Sequence, residues 1–455
     1  PTIKTRYTLH PERGSPMQPQ KIDLLLHCRW LIPIIPKDQV LENVSVAINS
    51  GRILDLLPQA QALQHYSPVE EVSLDQHIVM PGLVNAHCQS SKRLLRGHTA
   101  ALAGKTGDQK VLDSAGSSIA DSNFIRDGNV LAMAEMIKTG VTSFVDMCFP
   151  HEILIDTVRN VGLRCQISFE VYDHPTAFAH NAEEHIHKGL SLYDKVGEYP
   201  LLKVACAPHD LNNLSDGALK QISTYANELD MALHIPCHIS ANEIVASQTK
   251  YGCRPLNRLN HMGLLLPQTC LVYMNQVNAE DIQLLTQSNA HVINCGLSNP
   301  EACEGLSPIN QLRQEGINIA LGTGGLSVGG DLNLLAELKT FTQMATLNGK
   351  SNLESEAQAT LRSATINGAI ALGWEQQIGS LEIGKFADII AIEIDPITQQ
   401  PLYNPHLQLI NSSKSSQVSH NWVAGRPLMI DKRLVNLNEQ QLGQMAADWQ
   451  AKLVQ

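Results

Sequence analysis

A chain of 455 residues is about three times a typical domain of roughly 150, so its length fits two or three domains, or one large barrel with a smaller lobe. With 33 Lys+Arg against 44 Asp+Glu, a net charge of −11, it lacks the basic face that holds nucleic acid or an anionic membrane, and neither is expected as a partner. A hydrophobic content of 43% can bury a large core, while 18 His raise either metal chemistry or a merely His-rich surface.

Residues 1–20 are polar, carry no apolar stretch of the secretory kind and read as an arm. No run approaches the ~18 apolar residues of a membrane span. The ten Cys form no CxxC pair, so reduced, buried thiols and a cytoplasmic location are expected. From 21 to 83, short apolar runs such as IDLLLHCRWLIPI and VSVAINSGRILDLLP predict a small β-lobe. From 84 to 379 the texture changes. LVNAH, VTSFVDM, GLRCQISFEV, LLKVACAPH, MALHIPCH, TCLVYMN, AHVINCG and INIALGTGG are eight strand-like runs, separated by stretches with helical apolar spacing. Continuously apolar strands alternating with helices predict an α/β fold, a parallel (β/α)8 barrel of the TIM type. Strands return in 380–455 before a polar C-terminal helix, so both chain ends are expected to build one β-sandwich domain.

An ordered set of motifs points to a family. MPGLVNAH at 80–87, LLRG at 94–97, AEMIKTGVTSFVDM at 134–147, APH at 207–209, LGTGG at 321–325 and ATINGAIALG at 364–373 resemble the amidohydrolase superfamily. The narrower resemblance is to methylthioadenosine/S-adenosylhomocysteine deaminases and triazine chlorohydrolases, which hydrolyse C–N or similar bonds with zinc or iron. In that family an HxH after the first barrel strand, a His from the fifth and an Asp from the eighth hold the metal. A Glu beyond the third His moves protons, and a His after the sixth strand orients water. Imidazoles and a carboxylate suit this task because they hold the ion, leave a position open and lower the pKa of bound water.

This sequence departs at nearly all of those places. The HxH reads His87-Cys88-Gln89; Pro236 stands where the fifth-strand His belongs, Ile239 where the Glu belongs, Tyr273 for the sixth-strand His and Gly324 for the Asp. His87 is the one retained ligand. Pro236 and Gly324 offer no side-chain donor, and Tyr273, with an ordinary pKa near ~10, is a poor base at neutral pH. The expectation is therefore no metal cofactor and no hydrolysis: a pseudoenzyme with a small-molecule pocket drawn from His209, His238, Ser298 and Asn299. The loop after LLRG and the segment after APH have lost the aromatics that would stack a purine.

Two alternatives stand beside it. His238 lies two residues beyond Pro236, on the same side of an extended strand, so His87, His209 and His238 could form a rearranged site in an active C–N hydrolase. The chain could also be a non-catalytic subunit of an active paralogue; by resemblance a homo-oligomer, a dimer, is expected. Cys88 and Cys237 alternate with the inward positions and should face the helix layer. His180, His185 and His187 read as surface and helix positions that account for much of the His count.

Overall fold

Apolar runs rich in Val, Ile and Leu become the strands of two eight-stranded sheets. The computed structural model describes residues 18–96, 121–149, 152–197, 199–296, 305–325, 330–347 and 352–453. Most of the N-terminal arm, the loop 97–120 after LLRG, and the pocket candidates Ser298 and Asn299 lie outside the described residues.

The lobe joins β1 (Gln20–Leu31), β2 (Leu41–Asn49), β3 (Arg52–Pro58) and β4 (Tyr66–Pro81) from the first part of the chain to four strands from the last. Those are β13 (Ile389–Glu393), β14 (Val418–Val423), β15 (Arg426–Ile430) and β16 (Arg433–Leu434). They are hydrogen-bonded into one continuous sheet, in the order β16-β15-β14-β13-β4-β1-β2-β3. The 16-residue β4 makes this continuity, running parallel to β1 on one side and meeting β13 antiparallel through its last five residues.

The eight strand-like runs of the middle of the chain form the second sheet. It comprises β5 (Leu83–Cys88), β6 (Val141–Cys148), β7 (Arg164–Val171), β8 (Leu202–Pro208), β9 (Ala232–Cys237), β10 (Thr269–Tyr273), β11 (His291–Asn294) and β12 (Ile319–Leu321). Neighbours pair in sequence order, and a parallel bridge between Cys88 and Gly324 brings the two ends together. Every residue of β6 and of β7 is buried, as expected when helices cover the outside of a parallel sheet and side chains fill its inside. On β7 the two faces separate cleanly. Cys165, Ile167, Phe169 and Val171 join the large apolar cluster, and the ring of Phe169 lies against Gly189 of the helix Ala182–Val196. Gln166, Ser168 and Glu170 must then face the lumen, since side chains alternate along a strand.

The barrel is fastened to the lobe by a buried ion pair. Arg164, at the start of β7, donates from Nε and Nη2 to both carboxylate oxygens of Asp388 at 3.1 and 3.3 Å, and from Nη1 to Pro200 O at 2.7 Å. Asp388 also accepts from Ala424 N, so the charge is saturated on the lobe side. Such a pair is tolerated in a core because the two charges meet in bidentate fashion and each gains a further backbone hydrogen bond.

Candidate functional site at the barrel mouth

The C-terminal ends of the barrel strands carry the polar side chains. His87, near the end of β5, points across the lumen: its Nδ1 lies 2.9 Å from Nε2 of His234, and the rings stack with centroids 5.1 Å apart. β5 and β9 stand on opposite sides of an eight-stranded ring, so the two imidazoles can meet only through its interior. Tyr273, at the end of β10, sets its ring edge-on to His87 at 5.9 Å. Burial holds both imidazoles neutral, with His87 well below its ordinary range and His234 at about 3. Close packing keeps the pair in place: a Cβ on Gly322 would fall 2.8 Å from the backbone nitrogen of His87, so only glycine lets β12 approach β5 there.

Gln89 follows β5 and is turned to a neighbour: its Oε1 accepts from Lys92 Nζ at 3.0 Å. Lys92 sits on a short 3-10 turn, Ser90–Leu95, that carries the chain over the mouth. Arg93 and Arg96 just beyond both bond Glu135, whereas Lys92 makes no ion pair among the described residues. Asp146 of β6 accepts from the N–H of Ser90 at 2.7 Å, with Ser90 Oγ 2.7 Å from its other oxygen. Glu170, two per cent exposed on β7, has an Oε1 with no hydrogen-bond partner among the described residues. Burial raises the pKa of both carboxyls, and the nearby Lys92 charge opposes that rise. His209, after β8, packs its ring against Tyr172 at 4.8 Å, has a buried Nδ1 without a partner among the described residues, and is pushed by burial to about 3. The aromatic rings beside these histidines are Tyr172 and Tyr273, which lie outside the two segments that lack aromatics in the sequence.

Pro236 lies within β9, opposite Val272 of β10. On its other side the β8 pairing ends at Leu233, so the missing N–H interrupts no ladder there. Gly324 takes φ +74°, in the left-handed region.

His238 is placed differently from the expectation. Strand β9 stops at Cys237 and His238 adopts φ +54°, which ends the alternation that would have aimed it inward. Its Nε2 accepts from the N–H of Leu256 at 3.2 Å, and its Nδ1 lies 3.6 Å from Asp281, under the flanking helices. The structure does not bring His87, His209 and His238 together, and among the described residues no group of three or more His, Cys, Asp or Glu could hold a metal. Ile239 presents its backbone instead: Glu243 accepts from the N–H groups of His238 and Ile239 at 3.2 and 2.6 Å.

The described cysteines are unpaired, and Cys88 and Cys237 belong to the apolar cluster outside the lumen, where burial keeps their thiols protonated. His185 is not at the surface. It is fully buried among Phe149, Tyr172 and Phe178. Sequence reasoning passed over His234, Glu170 and Lys92. A signal for Glu170 existed in the polar Gln166-Ser168-Glu170 alternation of an otherwise apolar strand, and His234 shares its face of β9 with Pro236. Nothing in sequence spacing told Lys92 from Arg93 and Arg96.

The sequence profile of the Amidohydrolase family matches residues 78–428. A 5-methylthioadenosine/S-adenosylhomocysteine deaminase from Teredinibacter turnerae is 39% identical over 432 residues, covering 95% of this chain and 98% of its own. Another, from Saccharophagus degradans, is 35% identical over 431 residues, 95% and 97% of the two chains. The crystal structure of an adenosine deaminase from Xanthomonas campestris with bound zinc superposes with a TM-score of 0.91 at 32% identity, over 96% of this chain and 99% of that one. Atrazine chlorohydrolase from Arthrobacter aurescens, complexed with zinc, shares the fold at a TM-score of 0.83 and 19% identity, over 94% and 100%.

Proposed function

The chain belongs to the amidohydrolase family, and from that premise we propose that it is a metal-free member, one that binds a small molecule at the barrel mouth without hydrolysing it. The observation that carries this reading is the donor set. Of the four places where the resemblance puts metal ligands, Pro236 and Gly324 have no side-chain donor, and the Gln89 amide oxygen is taken by the Lys92 ammonium at 3.0 Å. His87 remains, with one ring nitrogen engaged by His234. Losing a single outer partner of a metal site typically costs ~10 to 100-fold in affinity, so a site reduced to one ligand beside a fixed cation does not suit zinc or iron. The proton-handling groups are equally unsuited: Ile239 is apolar, and the nearest carboxylate on that segment, Glu243, is spent on backbone N–H groups.

Two measurements test the reading. Protein purified without chelators is expected to carry no stoichiometric zinc or iron by elemental analysis, and to release no ammonia from methylthioadenosine, S-adenosylhomocysteine or adenosine. Stoichiometric metal together with ammonia release would overturn it. The rearranged active site is not favoured, because His238 gives its Nε2 to Leu256 and faces away from His87 and His209.

A further inference from the structure

A cavity of about 700 Å³ lies at the end of the barrel opposite the mouth, lined by residues near the starts of four strands, Gln166 of β7, Lys203 of β8, Ala232 of β9 and His291 of β11, and by the segment 370–373. Small-molecule sites run from roughly 300 to 1,000 Å³. Bulky side chains ordinarily fill this part of a (β/α)8 barrel. Here Ala232 and Ala371 fill little of it, and the Lys203 ammonium is drawn to Leu372 O and Gly373 O, at 3.2 and 2.6 Å, just past the helix Ile366–Ala371. Gln166 is one per cent exposed; its Nε2 lies 3.5 Å from Ser168 Oγ, and its Oε1 has no hydrogen-bond partner among the described residues. A buried acceptor left unpaired is costly, so this oxygen calls for a donor from a bound molecule. Gln166 and Lys203 are register partners on adjacent parallel strands, about 4.8 Å apart. An ammonium carries three donors; the two carbonyls take two of them, and Nζ lies 5.2 Å from the centre of the Trp374 ring. The wall therefore offers an acceptor and a donor side by side.

We propose that this cavity is a second binding site, which takes an uncharged small molecule by an amide group. The amide N–H donates to Gln166 Oε1, its carbonyl accepts from Lys203, and the apolar remainder packs on Val204, Met231 and Leu372. Charge selects the class. Asp230 and Glu375 line the same cavity as Lys203, so an anion meets two carboxylates and a cation meets a fixed ammonium, while a neutral amide meets neither penalty. An amide also presents a donor and an acceptor on one small group, matching the pair on the wall. The site does not depend on whether the mouth holds a metal.

The test titrates the full-length protein with four probes that share one ring: benzamide, acetophenone, which keeps the carbonyl and lacks the N–H, benzoate and benzylamine. Ligand-observed NMR reads the affinities. Benzamide is expected to bind about fivefold or more tightly than each of the others, as one net hydrogen bond implies. Gln166→Met, similar in size and without the acceptor, should remove the preference over acetophenone, and Ala232→Leu, which fills the cavity, should remove binding; circular dichroism checks that both fold. No binding of benzamide, equal binding of the four probes, a preference that survives Gln166→Met or binding that survives Ala232→Leu overturns the proposal. A crystal of the unsubstituted protein soaked in benzamide decides the matter without any variant: ligand density against Gln166 and Lys203 supports the site, and density at the mouth alone, or none, overturns it.

Discussion

At the residue scale, His87 shows how a closed barrel sets one imidazole against another. From β5 its Nδ1 faces the imidazole of His234 across the lumen, and burial keeps both rings neutral. The same burial acts on His209, at about 3, and on His238, at about 4. Unfolded imidazoles titrate near ~6.5. Because the folded values are depressed, the stability these neutral rings contribute is present above about pH 6.5 and is lost as pH falls toward 4 and 3. The unfolded state binds the extra protons, so each ring takes away up to about 1.4 kcal/mol per pH unit in that window. Imidazole resonances of His87, His209 and His234 followed by NMR from pH 7 to pH 5 are therefore expected to stay those of neutral rings; a titration centred near the ordinary ~6.5 would contradict the neutral, buried assignment. Gly324 adds a second residue-scale point. An Asp placed there would have to adopt φ +74°, which is strained for any residue with a Cβ, so putting the family residue back would carry a backbone cost of its own.

At the scale of an element, the segment from β9 into the helix Ala241–Tyr251 shows a capping network standing where catalytic chemistry was looked for. Ser240 is the N-cap and accepts from Glu243 N at 3.1 Å, while the Glu243 carboxylate reaches back to the N–H groups of His238 and Ile239. This pins the turn that sends His238 away from the lumen. Glu243→Ala should cost about 1 to 3 kcal/mol by urea denaturation, because it leaves two backbone donors without partners in a half-buried turn. Hydrogen exchange at His238 and Ile239 should accelerate in step, and unchanged exchange would show that the turn holds without the carboxylate. The strands themselves were legible in the sequence: all eight apolar runs of the middle of the chain are barrel strands, because continuous apolarity is what a sheet covered on both faces requires. The fate of His238 was not, since the strand-face rule holds only while the chain stays extended, and the change of φ at residue 238 leaves no mark in composition.

On the scale of the whole molecule, the lobe and the barrel depend on one another through Arg164 and Asp388, which are buried, mutually saturated and 224 residues apart in sequence. Asn421 of β14 adds to the junction by donating to Ile137 O and Val141 O. Removing one partner of a buried pair leaves a charge with no solvent, so Asp388→Ala is expected to cost about 3 to 5 kcal/mol, whereas the double replacement Arg164→Met with Asp388→Leu should cost clearly less. Denaturation of the two variants side by side checks this; equal losses would mean that packing and not charge governs the junction.

The sequence by itself determined the barrel and the two-ended lobe, and it names Gln89, Pro236 and Gly324 at positions where the resemblance expects other residues, because strand periodicity and side-chain type are local properties. Only the tertiary structure decided which side chains meet at the barrel mouth. The facing of His87 and His234, the turning out of His238 and the pairing of Arg93 and Arg96, but not Lys92, with Glu135 among the described residues all depend on which elements meet when the barrel closes. Contacts between side chains from opposite strands are set by ring closure and backbone handedness, and neither is written in the spacing of residues along one strand.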